Sequence, residues 1–263
     1  MRALLAGSPL ATVCQEAHCP NQWECFARKT ATFLLLGDRC TRNCRFCAVR
    51  AGTPLPPDPE EIAHLSAMVK RLGLRHVVLT SVTRDDLADG GAAHFADAII
   101  SLHRLQPRVT VEVLIPDFQG DRAALTTVVE AVPEVIGHNM ETIARLYPVV
   151  RPQASYRQSL QVLAHIREMS ATIATKSGVM LGLGETEQEI DTTLHDLRAV
   201  DCELLTLGQY LQPSPGHLPV VRYLHPDEFG HWQQRAMELG FRVASCGPFV
   251  RSSYKAAEML RPA

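Results

Sequence analysis

The sequence predicts an α/β chain built of repeated strand–helix units around one parallel sheet. Six short apolar, β-branched runs recur along it, at 32–36, 76–82, 110–115, 134–138, 176–181 and 203–208. Stretches with a helical apolar face lie between most of them and beyond the last, at 60–72, 91–105, 121–130, 156–169, 186–198 and 226–239. Unbroken apolar runs suit strands covered on both faces, as in a parallel sheet flanked by helices. The length of 263 residues suits one domain of barrel size or two small ones. Six units make an incomplete barrel, and an eight-unit barrel fits the same length, so periodicity leaves both open.

The elements follow in order. The first run, Phe33-Leu34-Leu35-Leu36, leads straight into a cysteine-bearing stretch that ends at Cys47. Pro54, Pro56, Pro57 and Pro59 then stop any helix until Glu60. The second run ends in Thr80-Ser81 and enters the acidic, Gly-rich stretch Asp85 to Gly91, a polar turn on its face value. Asn139 closes the fourth run. Lys176 opens the fifth, where a lysine at the surface end of a strand is the plain reading. Gly182-Leu183-Gly184-Glu185 reads as a strand-to-helix turn with an acidic residue in the first helical turn. Residues 1–30 read as an extension, 31–247 as the barrel and 248–263 as a tail.

Composition bounds the function. Hydrophobic content of 46% and charged content of 21% are those of a soluble globular chain. No apolar run approaches the ~20 residues that span a bilayer. A net charge of −2 supplies no field to attract nucleic acid. The start, Met1 to Ser8, lacks the apolar core of a secretory signal, and with unpaired cysteines this points to the cytoplasm. The chain is expected to act as a monomer.

Six of the eight cysteines fall between residues 14 and 47, in two triplets. Cys40, Cys44 and Cys47 have the spacing C-x3-C-x2-C, and Cys14, Cys19 and Cys25 have C-x4-C-x5-C. A [4Fe–4S] cluster is normally held by four thiolates, so a triplet leaves one iron open to a small molecule. Two triplets suggest two such clusters. A single zinc site drawing four thiolates from the six is the alternative on spacing alone. Arg39, Arg42, Arg45 and Arg50 surround the second triplet, either as a solvated loop face or as charge that offsets thiolate-ligated iron or steers an acidic partner. Cys202 and Cys246 have no partners at ligand spacing and read as small buried residues.

The stretch Gly37 to Cys47 resembles the signature of radical-SAM enzymes, which cleave S-adenosylmethionine (SAM) reductively. The two triplets in this order resemble the lipoyl synthase family in particular. Further segments agree with it: Ser81 to Ala92, Gly137 to Thr142, Thr175 to Thr186, Gly208 to Ser214 and Gly247 to Ala256. The resemblance runs from Cys14 to about Ala256, nearly the whole chain. Family members usually carry a longer arm before the first cysteine than the thirteen residues here, an arm tied to substrate docking.

That resemblance implies a partial (β/α)6 parallel barrel of radical-SAM type with an N-terminal cysteine-rich extension and a C-terminal tail. It implies a cluster on Cys40, Cys44 and Cys47 that binds SAM, with SAM contacts at Thr80, Ser81, Gly90, Gly91, Asn139 and Lys176. It implies a second cluster on Cys14, Cys19, Cys25 and a serine of Arg251-Ser252-Ser253-Tyr254. That role is placed on Ser252, with Ser253 as the fallback; apart from the resemblance, both read as local turn residues. An alkoxide is a harder ligand than thiolate and matches iron–sulfur bonding poorly, which suits an iron that must leave. The implied substrate is an octanoylated lipoyl-carrier protein domain, sulfurated at carbons 6 and 8 at the expense of the second cluster. An electron donor protein and a cluster-assembly protein follow as partners.

Overall fold

The computed structural model describes residues 10–16, 19, 21–27 and 30–260, apart from the side chains of Cys14, Gln15, Gln22, Phe26 and Ala27. Its main sheet has eight strands: β1 Ala11–Thr12, β2 Thr32–Leu35, β3 His76–Ser81, β4 Thr110–Leu114, β5 Val135–Gly137, β6 Ala174–Leu181, β7 Leu204–Gln209 and β8 Val243–Gly247. They lie side by side in chain order. β2 to β8 run parallel, and β1 pairs antiparallel with β2, Ala11 against Leu34 and Thr12 against Phe33. β1 and β8 stand at the two ends of this order and do not pair with each other among the described residues. The sheet is therefore an incomplete barrel, as expected, with a seventh parallel strand, β8, that periodicity does not reveal.

Outside the sheet lie α1 Glu61–Leu72, α2 Ala92–His103, α3 Arg122–Glu130, α4 Tyr156–Met169, α5 Glu187–Ala199 and α6 Pro226–Glu238. Their ends are written in the sequence. α1 stops at Gly73, whose φ of 63° is open to glycine at little cost. Asp121 and Ser155 cap α3 and α4 with side-chain oxygens, and Thr186 with Glu189 forms a capping box on α5. Their apolar stripes meet strand residues such as Phe33, Leu35, Leu79, Val111, Val113 and Leu207, all at 0% exposure. Each side chain so buried contributes roughly 1.5–3 kcal/mol.

Side chains alternate across each strand, so every second residue points into the barrel. Thr80, Leu114, Gly178 and Thr206 line a cavity at the C-terminal ends of the strands. One layer beneath, Lys176 Nζ meets Glu112 Oε1 at 2.7 Å, with side chains only 2% and 3% exposed. This corrects the reading of Lys176 as a surface-end residue. β6 starts two residues earlier, at Ala174, which carries Lys176 inside the barrel.

Candidate active site

The loop between β2 and α1 is fixed at both ends. Leu36 and Gly37 leave the strand with φ of 66° and 92°, and the Leu36 N–H donates to the Glu61 carboxylate at 3.0 Å. Cys40 pairs through Arg39–Cys40 with Arg50–Ala51 as a two-stranded parallel ribbon, closing the loop around Cys44 and Cys47. The thiol sulfur of Cys40 accepts N–H groups from Thr83 at 3.3 Å and Arg42 at 3.4 Å. Thr41 donates to the Thr83 carbonyl through both its N–H and its hydroxyl, each at 3.0 Å.

Arg42 anchors this loop to the barrel. Its guanidinium grips Asp85 at 2.7 and 2.9 Å and Asp117 at 2.7 and 2.8 Å, a double fork. Burial pulls its pKa down, yet the bonds to Asp117 and Asp85 outweigh this and hold it above the ordinary value. Arg42 is thus spent within the protein, while Arg39, Arg45 and Arg50 are exposed. Further braces come from the far side: the Arg45 N–H donates to the Val150 carbonyl at 2.9 Å, and His217 Nε2 lies 2.9 Å from the Cys47 carbonyl.

Cys40, Cys44 and Cys47 all border one cavity of about 510 Å³. Burial pushes the Cys47 thiol up to about 12; a backbone bond at Val49 opposes this, and Cys44 and Cys40 add to it. Burial raises Cys44 as well, against the pull of Arg151. Three partly buried thiols bordering one cavity repel one another as thiolates and call for bound cationic metal, and iron fits that donor set. Among the described residues no three Cys, His, Asp or Glu side chains meet at the separation one metal ion needs, so the thiols bound a space rather than a point.

Thr80, Ser81 and Asn139, the expected SAM contacts, line the same cavity. Gly90, Gly91 and Lys176 do not border it. Gly90 and Gly91 have φ of 60° and 90°, and their missing side chains make room for Phe118 and Leu36. Gly91, just before α2, thus lets Leu36 at the start of the cysteine loop pack close, and Gly90 does the same for Phe118.

Two charged residues in the cavity escaped the sequence reading. Glu141 has a φ of 64° and bridges to Val179; burial raises its carboxyl, while Arg151 and Asn139 pull it down. Asn139 Nδ2 donates to Glu141 Oε1 at 3.0 Å. Arg151 Nη1 donates to the Asn139 carbonyl at 2.8 Å, and its Nε is buried without a partner. Glu141 stood two residues past Asn139 in a segment already singled out. Arg151 carried no signal, since its approach to Cys44 is made by the fold.

The first triplet meets the tail. Cys14 lies outside the described side chains. Cys19 and Cys25 border a small cleft together with Arg251, Ser253 and Tyr254. Asn21 Nδ2 donates to the Phe249 carbonyl at 2.5 Å, and the Tyr254 hydroxyl donates to Glu24 at 3.0 Å. Ser252 borders the large cavity instead. Cys202 is fully buried, as expected, and Cys246 is partly so.

A barrel of this form with a three-thiol loop after its first parallel strand defines a radical-SAM protein. The sequence model of the Radical SAM superfamily matches residues 34–197. Solved structures agree in fold. Methylornithine synthase superposes with a TM-score of 0.60 at 13% identity, over 88% of this chain and 77% of that one. Coproporphyrinogen III oxidase from Escherichia coli gives a TM-score of 0.51 at 12% identity, over 90% and 61%. Lipoyl synthase of Caldanaerobacter subterraneus subsp. tengcongensis is 55% identical over 97% of this chain and 90% of its own length. That of Alkaliphilus metalliredigens is 52% identical over 99% and 90%. The chain belongs to the lipoyl synthase family of radical-SAM proteins.

Proposed function

We propose that the chain inserts sulfur at carbons 6 and 8 of an octanoyl group held in amide linkage to a lysine of a carrier protein domain. The observation that carries this reading is the meeting of two thiol sets at one barrel mouth. Cys40, Cys44 and Cys47 border the cavity, and Cys19 and Cys25 border a cleft that shares Arg251 with it. When bound, two [4Fe–4S] clusters and SAM supply the electron transfer, the radical and the sulfur.

The chain's own residues hold and aim these groups. Three thiols of the second triplet leave a fourth position for SAM. Arg151 and Glu141 offer opposite charges to its carboxylate and to its amino or ribose groups, and Asn139, Thr80 and Ser81 offer hydrogen bonds. Leu34, Val82, Ile115, Val179 and Leu211 give the cavity an apolar lining that takes an acyl chain and keeps water out. Cys14, Cys19 and Cys25 hold the sacrificial cluster. We place its oxygen ligand on Ser253 rather than Ser252, because Ser253 shares the cleft with Cys19 and Cys25.

The same reading takes residues 1–30 as the cluster-bearing extension, 31–247 as the barrel and 248–263 as the tail. It places the protein in the cytoplasm as a monomer, served by an electron donor protein and a cluster-assembly protein. Among the described residues no helix is long and apolar enough to cross a membrane.

The test is to incubate the anaerobically reconstituted, reduced protein with SAM and an octanoyl-lysine peptide and weigh the products. Two sulfurs gained by the peptide alongside 5′-deoxyadenosine is the expected result. Deoxyadenosine with an unchanged peptide would remove the substrate assignment, and neither product would remove the chemistry.

A further inference from the structure

Arg251 stands between the two thiol sets. It borders the large cavity with Cys40, Cys44 and Cys47, and the cleft with Cys19 and Cys25. Gly208 at the end of β7 admits it: a Cβ there would lie 3.2 Å from Arg251 Nη1 and would run into the Val250 carbonyl. Nη1 donates to that same Val250 carbonyl at 2.7 Å, which leaves most of the guanidinium's donors unspent.

A partly buried cation ordinarily sits against a carboxylate, as Arg42 does against Asp85 and Asp117. Arg251 forms no ion pair with Asp or Glu among the described residues. The missing anion must come from whatever fills the cleft. A cluster held by three thiolates and an alkoxide carries net negative charge and exposed sulfides, and both suit a guanidinium.

We propose that Arg251 is a positioning residue that would supply the countercharge of the first-triplet cluster and offer N–H groups to its sulfides. The proposal rests on the reading that this triplet holds a cluster. Hydrogen bonds and positive charge at a cluster favour its reduced form and raise its potential.

The test uses the full chain with Cys40, Cys44 and Cys47 replaced by Ala, so that the first-triplet cluster alone gives a signal. Its midpoint potential is read by a redox titration followed by electron paramagnetic resonance. Arg251→Gln should shift the midpoint to more negative values, and Arg251→Lys should return most of the shift. If Arg251→Gln loses its iron while Arg251→Lys keeps the parent's complement, the countercharge is likewise supported. A midpoint unchanged in Arg251→Gln, a Lys variant that behaves like the Gln variant, or iron lost from both alike would overturn the proposal. A parent chain that holds no iron at all would instead remove the two-cluster reading on which it rests.

Discussion

The Tyr254 hydroxyl donates to the Glu24 carboxylate at 3.0 Å across 230 residues of sequence, joining the tail to the extension that carries the first triplet. Asn21 repeats the link by donating to the Phe249 carbonyl. The segments around Asn21–Glu24 and Phe249–Tyr254 are therefore joined beside the cavity as one unit. A hydrogen bond to a charged group contributes about 1.5–3 kcal/mol, enough to decide whether a terminal segment stays docked.

Tyr254→Phe should loosen that unit without touching a ligand. Iron at the first triplet should be released to a chelator several-fold faster, while iron at the second triplet leaves at its former rate. Equal acceleration at both would mean that the contact supports the whole fold instead.

The two adjacent serines should separate cleanly. Ser253→Ala is expected to block sulfur insertion while SAM is still cleaved to 5′-deoxyadenosine, and Ser252→Ala is expected to keep the first-triplet cluster. Cys40→Ala should abolish deoxyadenosine altogether. Product analysis of the three variants decides, and a Ser252 variant that behaves as described for Ser253 would return the ligand to Ser252.

Lys176 and Glu112 should act as a structural pair. Lys176→Met leaves the buried Glu112 carboxylate without its ammonium partner, which costs about 3–5 kcal/mol and should lower the urea midpoint accordingly. Adding Glu112→Leu should restore much of the loss. Weakened SAM binding in a double variant of restored stability would contradict this and revive a direct role for Lys176.

His138 gives the fold a pH dependence. Burial lowers its pKa to about 4, Nδ1–H donates to the Ile115 carbonyl at 2.9 Å, and Nε2 accepts from Ser159 at 3.0 Å. Its folded-state pKa lies below the unfolded value near 6.5, so between the two the unfolded chain binds more protons. Stability should then fall as pH drops from about 6.5 toward 4, by an amount on the order of 3 kcal/mol across the window. Urea midpoints at neutral and mildly acid pH should show this slope, and His138→Gln should flatten it. An equal slope in the variant would assign the effect elsewhere.

Six strand–helix units were legible because each buried strand is an apolar run and four of the six helices carry a side-chain cap. β8 was not, since Val243-Ala-Ser-Cys-Gly is half polar and only its register against β7 makes it a strand. The cluster loop was legible because thiol spacing is local. Ser252 and Ser253 were indistinguishable because neighbours in a turn differ only in the direction each side chain takes. Gly90 and Gly91 suggested backbone access to SAM, whereas the space they free is occupied by Phe118 and Leu36. Arg151 reaches Cys44 through packing, and no motif announces such a contact.

The central claim is that the first triplet's cluster is the source of the inserted sulfur. The most direct test reconstitutes two chains with isotopically heavy sulfide, the parent and a Cys14, Cys19 and Cys25 triple Ala variant that keeps only the Cys40, Cys44 and Cys47 set, and follows one turnover of each. Two heavy sulfurs inserted by the parent, with 5′-deoxyadenosine but no sulfurated product from the variant, is the result the account predicts. Heavy sulfur inserted by the variant, or natural sulfur inserted by the fully labelled parent, would contradict it.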